Sequence, residues 1–204
     1  MDAGILAMPQ RRERGVRVDA GPPVSNARLA MIVLIAGESM LFVGLIGMYL
    51  VFRLSARVWP PADLPRLPLA VTWLNTAVLL GSMVPLTRAL AAVRADRRRT
   101  TARGLAAVTA LGILFLAVQG VEWARLVRHG LTLASGAYGA TYYVLIGCHA
   151  VHVLAAVVWL AVVALLAGRG RFTAARHTVL EMCAIYWYFV CALWAVLFPL
   201  VYLY

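Results

Sequence analysis

Five apolar runs dominate the chain, at about residues 29–52, 69–90, 105–127, 137–167 and 178–204. Each meets or exceeds the ~20 residues that carry a helix across the hydrocarbon core of a bilayer. No water reaches backbone N–H and C=O groups there, so a lone spanning segment satisfies them only as a helix. The pattern predicts an all-α membrane protein, a bundle of five transmembrane helices over residues 28–204. Residues 1–27 are basic and broken by Pro9, Pro22 and Pro23, and read as a flexible cytoplasmic tail. They hold no long apolar stretch, so a cleavable signal peptide is not expected. Arg53 and Arg57 close the first run, and Trp59-Pro60-Pro61 opens a proline-rich loop to Pro68. No loop between the runs is long enough for a soluble domain.

The excess positive charge of +11 raises the question of nucleic acid. Its distribution excludes that reading: the arginines sit between apolar runs, where topology signals belong. The tail and the second-to-third and fourth-to-fifth loops together carry fourteen of the nineteen, against five on the other side. The N-terminus is therefore expected in the cytoplasm and the C-terminus outside. Cys148, Cys183 and Cys191 lie within apolar runs with no CxxC spacing, so neither a disulfide framework nor a zinc site is indicated.

Ionisable groups inside the runs are the candidates for function. Glu38 stands deep in the first run, where a lone charge costs about 2.5–3.5 kcal/mol or more. It must be sheltered, neutralised or used. His149 and His152 are three apart and share a helix face, as do Gln119 and Glu122. His177 and Glu181, four apart, can pair along the last helix. Paired histidines suit haem or metal ligation, or interhelical hydrogen bonds worth about 1 kcal/mol each. Glu122-Trp123 suits a membrane interface, and Tyr202 and Tyr204 read as interfacial belt aromatics. Glu38 is expected to hydrogen-bond across the bundle as a neutral carboxyl, with His149 or His152 as its partner. Arg53, Arg57 and Trp59 combine basic and aromatic groups at one span end, a pattern suited to lipid headgroups.

Several motifs then carry a resemblance. They are Glu38-Ser39-Met40-Leu41-Phe42, Trp59-Pro60-Pro61, Leu74-Asn75-Thr76-Ala77-Val78-Leu79-Leu80 and Gln119-Gly120-Val121-Glu122-Trp123. Tyr138-Gly139-Ala140-Thr141-Tyr142-Tyr143 and Gly147-Cys148-His149-Ala150-Val151-His152-Val153 follow, then His177, Glu181, Tyr186-Trp187 and Phe189-Val190. In this order and spacing the chain resembles subunit III of haem–copper oxidases, in the five-helix bacterial form, from about Glu38 to Tyr202. It departs where that family usually has a His and an Asp, here Tyr188 and Cys191, and where it has the first His of a pair, here Arg176.

The resemblance implies a non-catalytic subunit that binds no haem or copper. Those groups belong to the partner subunits of a respiratory complex that reduces oxygen to water and pumps protons. It implies subunit I as the main contact, subunit II in the same complex, structural phospholipids, no nucleic acid, and a bacterial cytoplasmic (inner) membrane. Its role there is to support proton uptake into subunit I and to protect it. In the seven-helix form, phospholipids fill a cleft between the first two helices and the rest. In the five-helix form that surface faces the bilayer or is completed by another subunit. The nearest alternatives are a similar accessory protein of a nitric oxide reductase or of a quinol oxidase. From other classes come a haem-binding membrane electron carrier using His149, His152 and His177, and a small proton-coupled transporter built on Glu38.

Overall fold

A computed structural model describes residues 26–61 and 64–203. Its helices are α1 (Asn26–Ser55), α2 (Leu69–Gly81), α3 (Met83–Arg94), α4 (Arg98–Arg128), α5 (Gly136–Gly168) and α6 (Thr178–Phe198), the last continued by a π-type turn, Pro199–Leu203. With α2 and α3 taken as halves of one span, five helices are long and apolar enough to cross a membrane. α1, α4 and α5 outrun at both ends the apolar runs that predicted them. α4 begins at Arg98, seven residues before the expected start, because the backbone ladder continues past the apolar run into the arginine-rich segment. The expected tail lies outside the described residues except for Asn26 and Ala27, which open α1.

The second span breaks at Ser82, where the sequence pattern suggests one continuous helix. Pro85 has no N–H to return to the carbonyl of Gly81, so the ladder is interrupted one turn upstream. Ser82 Oγ donates to the Leu79 carbonyl and accepts from Trp187 Nε1–H at 2.9 Å, so the break is closed by a side chain of α6. One helical face of α6 repeats the device, with Trp194 Nε1–H donating to Thr76 Oγ1 at 2.9 Å. Asn75 Nδ2 donates to the Phe115 carbonyl at 3.1 Å and joins α2 to α4. In lipid such bonds stabilise helix pairs by roughly 0.6–2 kcal/mol.

Burial sets the roles of the helices. Half of the central window of the last span is buried, against 11% for α1. Thus α6 is the axis of the bundle, and α1 is a strut laid on α5 and α6. Met31, Phe42 and Tyr49 are the buried residues of α1, and Glu38 falls on the same face. Close packing demands a glycine where α4 meets α5 and α6. A Cβ on Gly112 would stand 2.7 Å from both Trp187 Cη2 and Val157 Cγ2.

Candidate functional site

The α1 stripe carries Glu38 toward α5 and α6, with 16% of its side chain exposed. Tyr186 Oη donates to Glu38 Oε1 at 3.2 Å, which ties α1 to α6. His152 Nε2 stands 3.9 Å from the same oxygen, in contact but beyond hydrogen-bond range. Its Nδ1 lies 2.7 Å from the Cys148 carbonyl, one turn back on α5. A carbonyl cannot donate, so Nδ1 carries a proton. In the neutral ring Nε2 is then the bare nitrogen, turned to the carboxyl. Glu38 Oε2 is buried with no hydrogen-bond partner.

His149 parts company with His152. It stacks on Trp194, with ring centroids 5.2 Å apart and planes 23° off parallel, and neither ring nitrogen has a hydrogen-bond partner. Phe42 separates the two histidines, edge-on to both. Of the two expected partners of Glu38, only His152 reaches it. The hydrogen bond comes instead from Tyr186, which appears in the sequence only within the Tyr186-Trp187 motif. Among the described residues no group of three or more His, Cys, Asp or Glu side chains could hold a metal ion.

Gln119 and Glu122 do share a buried face of α4. Glu122 Oε1 accepts from Arg125 Nη1 at 2.8 Å, one turn on. The two residues adjoin Tyr202, whose hydroxyl is 2.9 Å from that of Tyr142. Tyr202 is therefore an inward residue, not a belt aromatic, because the π-type turn rolls it toward α5. Tyr204 lies outside the described residues.

His177 and Glu181 pair along the start of α6, at 3.1 Å, and the pair is half of a larger junction. Glu181 also receives Arg28 from α1 and Arg94 from α3, each at 3.1 Å. One carboxylate thus gathers three spans at the arginine-rich face. At the opposite face Trp59 packs edge-on between Tyr49 and Tyr138, at 5.8 and 5.0 Å. With Arg53 and Arg66 it lines a cleft of about 200 Å³, which Arg57 does not line.

A framework of helix-joining polar pairs around a carboxyl on the first strut suits a structural partner. A model of cytochrome c oxidase subunit III matches residues 19–204. The chain belongs to the cytochrome c oxidase subunit III family. It is 35% identical over 188 residues to cytochrome c oxidase subunit 3 of Oncorhynchus mykiss, a match covering 89% of this chain and 71% of that protein. The subunit 3 proteins of Danio rerio, at 35%, and Cyprinus carpio, at 34%, match over the same lengths. As a subunit III of a haem–copper oxidase, the chain is a non-catalytic part of a respiratory, proton-translocating oxidoreductase complex, and a membrane protein.

Two of the three departures from the subunit III pattern, Tyr188 and Cys191, lie on α6. Cys191 Sγ faces the Leu79 carbonyl at 3.8 Å, a weak contact, and the buried hydroxyl of Tyr188 has no hydrogen-bond partner. Where the family usually has a His and an Asp, these two side chains make no bond with each other among the described contacts.

Proposed function

We propose that this subunit III acts as a brace for the catalytic subunit I, in a complex that also holds subunit II. In this reading it binds no haem or copper itself and supports proton uptake and stability in subunit I. One observation carries it: four polar pairs join helices across the interior, Glu38 with Tyr186, Thr76 with Trp194, Ser82 with Trp187 and Asn75 with the Phe115 carbonyl. A transporter or electron carrier needs such groups lining a path or holding a group. The test is purification from native membranes in mild detergent. Recovery together with a haem–copper subunit I is expected; recovery without one, or proton transport by the chain alone in liposomes, overturns the reading.

The membrane in this reading is the bacterial cytoplasmic one, with the N-terminus inside and the C-terminus outside. Arg28, the α3–α4 turn and the α5–α6 loop meet at one face, which is the arginine-rich one, and that supports the orientation. A C-terminal reporter active in the cytoplasm overturns it. Structural phospholipids bind in the cleft lined by Arg53, Trp59 and Arg66; Arg57, the third residue expected there, does not line it. Glu38 is a neutral carboxyl: one donor at 3.2 Å and an orphaned second oxygen leave a carboxylate far short of the donors it needs in an apolar site. The residues expected as one intramembrane polar network serve the brace as separate ties: Glu38 beside His152, Gln119 and Glu122 beside Tyr202, His177 with Glu181, and His149 stacked on Trp194.

A further inference from the structure

The arginine-rich face has two carboxylates among the described residues, and both are engaged. Glu181 is shared by Arg28, Arg94 and His177. Asp96 Oδ1 accepts the Ala174 N–H at 2.7 Å. Nearby, Arg98 and Arg99 of the first turn of α4 and Arg169 beyond α5 line one cleft of about 310 Å³, with Ala102, Ala167 and Gly168. None of the three arginines has a carboxylate within 4.0 Å among the described residues.

Two locked turns hold them there. α5 ends at Gly168, and Gly170, at φ +70°, turns the chain beyond Arg169, which lines the cleft. A Cβ on Gly170 would lie 3.4 Å from Arg98 Nη1, so the turn hosts that guanidinium closely. The α3–α4 turn is fixed by Asp96 at φ +52°, and the Asp96–Ala174 bond staples one turn to the other. Topology signalling requires arginines somewhere in these loops, but it does not require three of them to converge on one pre-shaped cleft.

We propose that the cleft between the start of α4 and the end of α5 binds a phosphate oxyanion. Guanidinium forks match phosphate oxygens two bonds at a time, and basic pockets between helices at a membrane face take anionic headgroups. The volume falls at the lower end of the about 300–1,000 Å³ of small-molecule sites. Ala102 and Ala167 give the cleft an apolar wall beside the charge. The same chemistry serves two sources, the headgroup of an anionic phospholipid and a free phosphate or nucleotide. The site lies across the membrane from Arg53, Arg57 and Trp59 and is independent of lipid binding there.

The test uses the purified complex in nanodiscs of phosphatidylcholine. One arm adds phosphatidylglycerol and counts retained lipid by native mass spectrometry; the other titrates inorganic phosphate and ATP by calorimetry. Replacing the three arginines (R98Q/R99Q/R169Q) is expected to weaken binding in one arm on the order of a hundredfold. The arm that responds identifies the source. An equal-charge control on the same side of the bundle (R88Q/R103Q/R176Q) is expected to lose less than a tenth as much. Equal losses from both triples, or no loss from the first in either arm, overturn the site. Should the first triple fail a circular-dichroism check, R98K/R99K/R169K keeps the charge but not the fork. Weakened binding in that variant supports the site, and unchanged binding overturns it.

Discussion

Removing one oxygen atom tests the junction between α1 and α6. Tyr186→Phe keeps the ring, and with it the contacts to Trp159 and Phe189 at 6.0 and 6.2 Å between centroids, so only the hydrogen bond to Glu38 is lost. At 3.2 Å that bond is at the long end of the useful range. A bond of this kind contributes about 0.5–1.5 kcal/mol, and within membranes the measured mean is about 0.6. The expected loss is therefore about 0.6–1 kcal/mol. Glu38→Gln keeps an acceptor for the same hydroxyl, so a double-mutant cycle with Tyr186→Phe should return a coupling below that figure. The sharper readout is infrared spectroscopy of the complex at pH 6. The carboxyl C=O band that disappears in Glu38→Gln belongs to Glu38, and Tyr186→Phe should move it to higher frequency as the carbonyl loses its donor. An unmoved band refutes the contact. The absence of any Glu38 C=O band at pH 6 refutes the neutral carboxyl.

Three further perturbations address other parts of the bundle. Glu181→Gln should loosen the arginine-rich end; because Arg28 and Arg94 are 55% and 62% exposed, the loss is held to about 1–2 kcal/mol, and it should shrink in high salt, read as the melting point of the complex against salt. Gly112→Ala should cost about 1–3 kcal/mol through overpacking against Trp187 and Val157, seen as easier release of the subunit in detergent. Arg53→Gln with Arg66→Gln should lower the phospholipid retained by the complex, whereas Arg57→Gln alone should change it little, since Arg57 does not line the cleft.

The sequence discloses what a bilayer enforces. Span number, order and approximate bounds follow from the need to bury backbone polar groups, and all five are present. Pairings within one helix were also legible, such as His177 with Glu181, because spacing alone determines them. Pairings between helices were not. Nothing in spacing tells that Tyr186 rather than His149 meets Glu38, or that Arg28 and Arg94 converge on Glu181, since these depend on the rotation of each helix about its axis. The break at Ser82 had a visible signal in Pro85, but the closing bond from Trp187 lies over a hundred positions away. Tyr202 turned inward because a local widening of the last helix turn resets its phase, which a period of 3.6 does not anticipate.

Glu38 and its donor Tyr186 are 148 positions apart. Chains grow at about 5–20 residues per second, so roughly 7–30 s separate the birth of the carboxyl from that of its hydroxyl. For that interval the acid of the first helix lacks its donor. α1 rests on α5 as well as on α6, so α6 completes an anchorage that α5 begins. A chain cut short before α6 presents a membrane-embedded carboxyl without the hydroxyl that answers it.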